Sequence, residues 1–291
     1  MAEQFYGFDE SVRLFLEHLK RQCYSTETSS GYGKDLECFR RFMGEKDFPL
    51  EAIGKEELLK FMDDGRNRGN RTSTIGRRLS TMKSFYKFLV YELDFPVDVA
   101  ARIRIPKVYV PLKNVLTEEQ VKRLLKAAQM LGPCYHLLFS MLYYTGSRLT
   151  PVRVLERNHI NLAEGLIYFP KVKGGKDLYL PLHAALQAPI EQYLVEHLTE
   201  ESRYVFPSNR CPDQPLSPSD IRNKLRLAAH SAGLDTSITP HTLRHCTATH
   251  LTIRNVPQHT IASILGHADL RSTMRYQHLA VGHLRDPLNK L

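Results

Sequence analysis

The stretch TPHTLRHCTATHL, residues 239–251, predicts a helix with a polar first turn. Thr239 is a good N-cap and Pro240 suits the first helical position, so the free backbone N–H groups of that turn point outward. His241 and Arg244 are three residues apart and therefore lie close together. An imidazole and a guanidinium at the positive end of a helix can form a seat for a phosphate. Taken alone, the pair also fits an exposed cap beside a surface ion pair.

A second polar stretch, LGHADLRSTMRYQH, occupies residues 265–278. Its glycine fits the left-handed position that ends a helix, which places His267 in the turn just beyond. A short helix would then carry Tyr276. Because a tyrosine hydroxyl has a pKa near about 10, it acts as a nucleophile only beside cations and a proton acceptor.

The N-terminal part of the chain reads as a set of amphipathic helices. Glycines and a proline predict breaks near 31–33, 49 and 65–69. In the segment 72–93, five apolar residues share one side of the predicted helix: Leu79, Met82, Phe85, Tyr86 and Leu89. The basic residues Arg77, Arg78 and Lys83 lie elsewhere around this helix, which also fits an ordinary solvated face.

Two prolines divide the chain. In RIRIPKVYVPLKNVL, residues 102–116, Pro106 and Pro111 rule out a continuous helix. Thr117 and Gln120 then match a capping box that starts a new helix. We therefore expect a helical domain at 1–103, a linker at 104–114 and a second domain at 115–291.

A β-hairpin is predicted inside the second domain. The segments GLIYFPKV, residues 165–172, and DLYLPL, residues 177–182, are short β-like runs. The KGGK between them contains paired glycines that suit a tight reversal, so Lys173 is expected at the tip.

Composition narrows the possible classes of protein. The chain has 291 residues, 42% hydrophobic and 24% charged, the balance of a folded globular protein. No apolar run approaches the roughly 20 residues that span a bilayer, and the start lacks the features of a signal peptide, so we expect a cytoplasmic protein. A net charge of +9 favours a polyanionic partner. The five cysteines are scattered without a CxxC pair, which indicates neither a disulfide framework nor a zinc knuckle.

Five motifs, in order and at suitable separation, resemble the active-site signature of the tyrosine recombinases, the lambda-integrase-like enzymes that include the Xer group. They are TGSR at 145–148, the hairpin with Lys173, PHTLRH at 240–245, LGH at 265–267, and Tyr276. The resemblance implies a mainly α fold with a small antiparallel β-sheet in the C-terminal domain. It further implies a helical SAM-like N-terminal domain and a tyrosine-recombinase catalytic domain, arranged as a two-domain C-shaped clamp around duplex DNA.

The resemblance also implies a site for phosphodiester cleavage without a metal or other cofactor. Arg148 and Arg244 would clamp the non-bridging oxygens, where negative charge increases during cleavage. Tyr276 would attack the phosphate and form a 3′-phosphotyrosyl link, which a freed 5′-hydroxyl can reseal through a Holliday junction.

Three further residues complete the implied site. His241 would help accept the tyrosine proton, and His267 would donate a hydrogen bond to the scissile phosphate. Lys173 would protonate the 5′-oxygen leaving group. Lys171 and Lys176 lie near the same turn, and the family pattern favours Lys173.

One position departs from the family. Three residues after the first motif arginine the family usually has an acidic residue, where this chain has Pro151. Proline is tolerated in a first helical turn, but the support of Arg148 by a neighbouring carboxylate is put in doubt.

The resemblance implies double-stranded DNA with an inverted-repeat recombination site as the partner. The predicted DNA contacts are Arg77, Arg78, Lys83, Arg104, Lys107 and Lys176. Four protomers would assemble on two duplexes, with the apolar tail after Tyr276 docking on a neighbouring subunit and accessory proteins as further partners. A bacterial or archaeal nucleoid is the expected location, for integration, excision or the resolution of dimers or cointegrates.

Three alternatives compete with this interpretation. His241 and His245 have the i, i+4 spacing of zinc ligands, although no HExxH motif accompanies them. A catalytically weak DNA-binding or architectural protein of the same fold is the second. A topoisomerase that nicks and reseals one strand uses similar chemistry and is the third.

Overall fold

The computed structural model describes residues 7–44, 47–106, 115–172, 176–198 and 202–266, and for 171, 172 and 176 it describes the backbone alone. The chain divides into two compact units, Met1–Pro111 and Leu112–Leu291. The domain and linker limits inferred from the sequence remain a prediction.

Four helices with a shared aromatic core form the described part of the first unit. They are α1 (Phe8–Arg21), α2 (Thr26–Met43), α3 (Lys55–Asn67) and α4 (Thr72–Glu92). The predicted apolar face of α4 is confirmed, because Leu79, Met82, Phe85, Tyr86 and Leu89 are all buried. The ring of Phe85 packs edge-on against Phe8 and Phe15 of α1, with centroids 5.6 and 5.5 Å apart.

The helix break predicted near 31–33 is wrong. Helix α2 continues through Gly31 and Gly33, although each interior glycine costs about 1 kcal/mol of helix propensity relative to alanine. Packing between the helices outweighs this cost: Tyr32 stacks on Phe15 of α1, with ring centroids 5.9 Å apart. The breaks predicted near 49 and 65–69 do separate helices.

The second unit is mainly helical around a small sheet. Its described helices are α5 (Glu118–Gln129), α6 (Pro133–Thr145), α7 (Leu149–Arg153), α8 (Ala184–Glu196), α9 (Pro218–Ser231), α10 (Pro240–Ile253) and α11 (Gln258–Leu265). Helix α6 is the central element and packs on α5, α8 and α10. The predicted capping box is confirmed: Thr117 Oγ1 accepts from Gln120 N–H at 3.2 Å, and Gln120 Oε1 accepts from Thr117 N–H at 2.8 Å.

The sheet is antiparallel with the order β1 (Ile160–Asn161), β2 (Leu166–Val172) and β3 (Lys176–Pro181). Its inward face buries Ile167, Phe169 and Leu180 against the helices. This confirms the predicted hairpin strands and the mainly α fold with a small antiparallel sheet. None of the helices in the described ranges combines the length and apolar composition needed to cross a bilayer.

Candidate active site

The turn after α6 carries the first site motif. Gly146 has left-handed backbone angles, φ 60° and ψ 13°, which favour glycine. A Cβ at this position would lie 2.6 Å from Leu265 Cδ2 and 3.1 Å from Thr247 Cγ2. Both the backbone conformation and the close approach of α10 and α11 therefore require glycine here.

The same turn leads directly into Arg148. Thr145 Oγ1 donates to Met141 O at 2.6 Å and accepts from Ser147 N–H at 3.1 Å, which fixes the path of the chain beyond α6. Arg148 is the N-cap residue of α7 and is partly buried. Within the described ranges, no hydrogen bond or ion pair reaches its guanidinium, so its donors are available to an anion.

Pro151 occupies the third position of α7, and the helix forms around it. Glu156, the nearest following acidic residue in the chain, does not take the place of the family's carboxylate. Its Oε1 accepts a hydrogen bond from Arg203 Nε at 2.9 Å and forms an ion pair with Arg203 NH2, also at 2.9 Å. The carboxylate support that the family usually provides for the first motif arginine is therefore not supplied by Glu156.

The predicted start of α10 is confirmed. Thr239 is the N-cap, with Oγ1 accepting from Thr242 N–H at 3.3 Å, and Pro240 is the first helical residue. His241 is exposed on this first turn. Arg244, one turn on, is only 5% exposed.

Arg244 connects three of the predicted motifs. Its NH1 donates to Gly146 O and its NH2 to Leu265 O, both at 2.8 Å. These carbonyls lie at the C-terminal ends of α6 and α11, where helix dipoles favour a positive charge. Charge-assisted bonds of this kind offset the cost of burying a guanidinium. The bonds hold the TGSR turn, the PHTLRH helix and the LG of the LGH motif around one side chain.

Gly266 ends α11 in the left-handed conformation, φ 60° and ψ 45°, as the sequence predicts. Four predicted site residues, Lys107, Lys173, His267 and Tyr276, lie outside the described residues, as does the side chain of Lys176. The catalytic roles of all six implied residues remain predictions.

Arg77, a predicted DNA contact, pairs with an acidic residue of its own unit. Asp35 of α2 is 3% exposed and bonds both the Arg77 guanidinium and, at 2.9 Å, the hydroxyl of Thr81. Part of the charge of Arg77 is therefore balanced within the protein, while 55% of its side chain stays exposed.

Arg78 lines a cleft of about 440 Å³ in the first unit. Its guanidinium carbon is 5.7 Å from the ring centre of Phe61. The cations along this cleft are Lys34, Arg41, Arg68 and Arg78. Two of them are paired, Arg41 with Glu37 and Arg68 with Asp64.

Lys83 and Arg104 are the other predicted DNA contacts whose side chains the structure describes. Lys83 Nζ donates to Ala101 O at 2.8 Å and so holds the segment after α4. Arg104 is exposed. Their contacts with DNA, like those of Arg77 and Arg78, remain predictions.

Sequence reasoning missed two buried polar residues, Asp35 and His250. Asp35 stands next to Leu36 and four residues before Phe39, on the apolar side of α2. His250 follows Leu243 by seven residues and Cys246 by four, on the buried side of α10. Each is a polar residue at an apolar position of a helical pattern, and this signal could have predicted its burial. In the described part of the chain, no three His, Cys, Asp or Glu side chains gather as a metal site requires.

Comparison with known proteins gives matches to both units. The model of the phage integrase family matches residues 114–283, and that of the phage integrase N-terminal SAM-like domain matches residues 12–92. The tyrosine recombinase XerD of Caulobacter vibrioides is 32% identical over 93% of this chain and 92% of its own length.

Solved structures are similar as well. XerA recombinase is 26% identical with a TM-score of 0.56, over 97% of this chain and 98% of that one. A lambda integrase tetramer bound to a Holliday junction has a TM-score of 0.75 at 18% identity, over 94% of this chain and 78% of that one, which shows the shared fold. The family matches, which cover most of the chain, together with the identity to XerD, establish that this protein belongs to the phage integrase family of tyrosine recombinases.

Proposed function

We propose that the protein is a site-specific tyrosine recombinase that cuts and rejoins duplex DNA through a 3′-phosphotyrosyl intermediate and a Holliday junction. Membership of the family supports this function. The observation that carries it is the Arg244 guanidinium, which is buried between the carbonyls of Gly146 and Leu265. This contact joins the elements that bear Arg148, His241 and the LG of the LGH motif.

The chemistry follows from the charges of the site. Arg148 and Arg244 would bind the non-bridging oxygens of one phosphate and stabilise the negative charge that increases there. His241 would help take the phenolic proton of Tyr276, and His267 would donate to the same phosphate. Lys173 would protonate the leaving 5′-oxygen.

The phosphotyrosyl bond conserves the energy of the phosphodiester, so resealing needs no nucleotide cofactor. We propose that the reaction is also independent of metal ions, because the guanidiniums would take the place of a Lewis acid. Activity that is unchanged after dialysis against EDTA is the expected result. A loss that Mg²⁺ or Zn²⁺ restores would contradict it.

Recombination joins two DNA sites, so we propose a tetramer on two duplexes, each duplex carrying an inverted-repeat site. The lambda integrase tetramer on a Holliday junction supports this assembly through its similar fold. Docking of the tail on a neighbouring subunit, accessory proteins and a place at the nucleoid belong to the same proposal. Strand exchange that persists unchanged after deletion of residues 280–291 would exclude a role for the tail.

The experiment starts with the DNA site. Sequencing the DNA that becomes covalently attached to the protein in its host gives the site, and a nicked duplex with that sequence traps the cleaved product. We expect a covalent adduct with the wild-type protein and none with Tyr276→Phe. Specific binding without any adduct would instead support the catalytically weak binder, and relaxation of supercoils without strand exchange would support a topoisomerase.

A further inference from the structure

His250 is a buried residue of α10 that uses both ring nitrogens. Nδ1 lies 2.9 Å from the hydroxyl oxygen of Tyr143, and Nε2 lies 2.9 Å from Leu116 O. His250 is only 7% exposed. Both bonds join residues more than a hundred positions apart, so they are tertiary contacts and not part of the helix.

The chemistry of the two partners sets the protonation state of the ring. A backbone carbonyl can only accept, so Nε2 carries the proton that is donated to Leu116 O. Nδ1 is then free to accept from the hydroxyl of Tyr143. Burial lowers the pKa of His250 below its ordinary value, which agrees with a neutral imidazole that has one donor and one acceptor.

The partners of His250 lie on the elements that carry the site. Tyr143 stands three residues before Gly146, near the end of α6 that leads to Arg148. Helix α10 itself carries His241 and Arg244. Leu116 precedes α5, at the beginning of the described part of the second unit.

Two further residues, Thr247 and Arg254, attach α10 to the same parts of the second unit. Thr247, one turn before His250, donates through Oγ1 to Tyr143 O at 2.5 Å. Arg254, one turn after it, donates through NH2 to both carboxylate oxygens of Glu118, at 2.8 and 2.9 Å. Thr247 and His250 of α10 and its C-cap residue Arg254 thus attach this helix to the end of α6 and to the start of α5.

We propose that His250 is a positioning residue of the cleavage reaction, holding the helix of Arg244 in register with the turn of Arg148 through Tyr143 and Leu116. The inference rests on the proposed function. In this role His250 does not touch the DNA. It sets the distance between two guanidiniums that must bind one phosphate, and a small misplacement of such groups is costly to the rate.

The test separates positioning from general stability. The variants are His250→Phe, Tyr143→Phe, their double variant, and Thr252→Val as the control. Thr252→Val also removes a hydrogen bond of α10, but this bond lies within the helix: the Thr252 hydroxyl donates to Ala248 O at 2.8 Å. Each protein is assayed at a temperature where circular dichroism shows it fully folded, for DNA dissociation constant and for the single-turnover rate of adduct formation on the nicked duplex.

We expect His250→Phe and Tyr143→Phe each to slow adduct formation by about tenfold, with DNA affinity within about twofold of wild type. The double variant should be no slower than His250→Phe, because both changes remove the same bond, and Thr252→Val should cleave at the wild-type rate. Wild-type rates for both single variants, or losses that Thr252→Val shares, would overturn the positioning role. Failure of the wild-type protein to form any adduct would instead overturn the proposed function.

Discussion

Replacing Arg244 with lysine keeps a positive charge on α10 but removes the planar fork that reaches two carbonyls at once. The guanidinium donates from separate nitrogens to Gly146 O and Leu265 O, both at 2.8 Å. An ammonium group is a compact charge on a shorter stem and cannot keep both bonds. At least one buried carbonyl therefore loses a charged donor, which costs about 1.5–3 kcal/mol of the free energy of unfolding.

The effect on cleavage should be separate and larger. If Arg244 also binds the scissile phosphate, its loss removes a donor from the developing charge, which costs about 2.7–4 kcal/mol of activation free energy, or roughly 10²–10³-fold in rate. Urea unfolding measures the loss in the free energy of unfolding. Single-turnover adduct formation on the nicked duplex, with folded protein in excess, measures the loss in cleavage rate.

Arg153→Lys is a matched control. Arg153 donates from NH1 to Leu216 O at 3.2 Å and is partly buried, but it has no assigned role in the reaction. It should lose stability and still cleave within about twofold of wild type. A stable, folded Arg244→Lys protein that cleaves within about threefold of wild type would exclude a role of Arg244 in cleavage and leave it as a structural link between helix ends.

Three other predictions concern single contacts. Gly146→Ala places a Cβ 2.6 Å from a leucine methyl at a left-handed position, so it should lower the unfolding free energy by about 1–3 kcal/mol and slow cleavage; an unchanged urea midpoint would contradict this. Asp35→Asn leaves Arg77 without its anionic partner and should destabilise the first unit by roughly 1–2 kcal/mol, seen as an earlier urea transition, whereas coincident curves would mean that the pair contributes nothing. Because the pKa of His250 is lowered in the folded state, the unfolded chain binds the proton first as pH falls below about 6.5, so stability should decline toward pH 5 and decline less in His250→Gln; parallel profiles would argue against a neutral His250.

Local signals in the sequence predict the ends of elements well. The N-cap Thr239, the capping box at Thr117 and the left-handed Gly266 each depend on residues within one turn, and the structure confirms all three. The break predicted near Gly31 and Gly33 is the exception. The helix continues there because it packs against another helix, which local residues do not reveal.

The sequence pattern does not predict which residues far apart in the chain come into contact. Arg244 reaches a carbonyl 98 residues away, and Asp35 reaches Arg77 across 42 residues. The spacing HTLR places His241 near Arg244 but says nothing about Gly146 O, because a backbone acceptor leaves no mark in the residue type. Only the resemblance to the family indicated that these motifs converge.

The most direct measurement is a structure of the Tyr276→Phe protein bound to its own recombination site. We expect the guanidiniums of Arg148 and Arg244 both to lie within hydrogen-bond distance of the non-bridging oxygens of one phosphate, with the ring at position 276 facing that phosphorus. Guanidiniums on different phosphates, or a ring at position 276 packed in an apolar core away from the DNA, would contradict it.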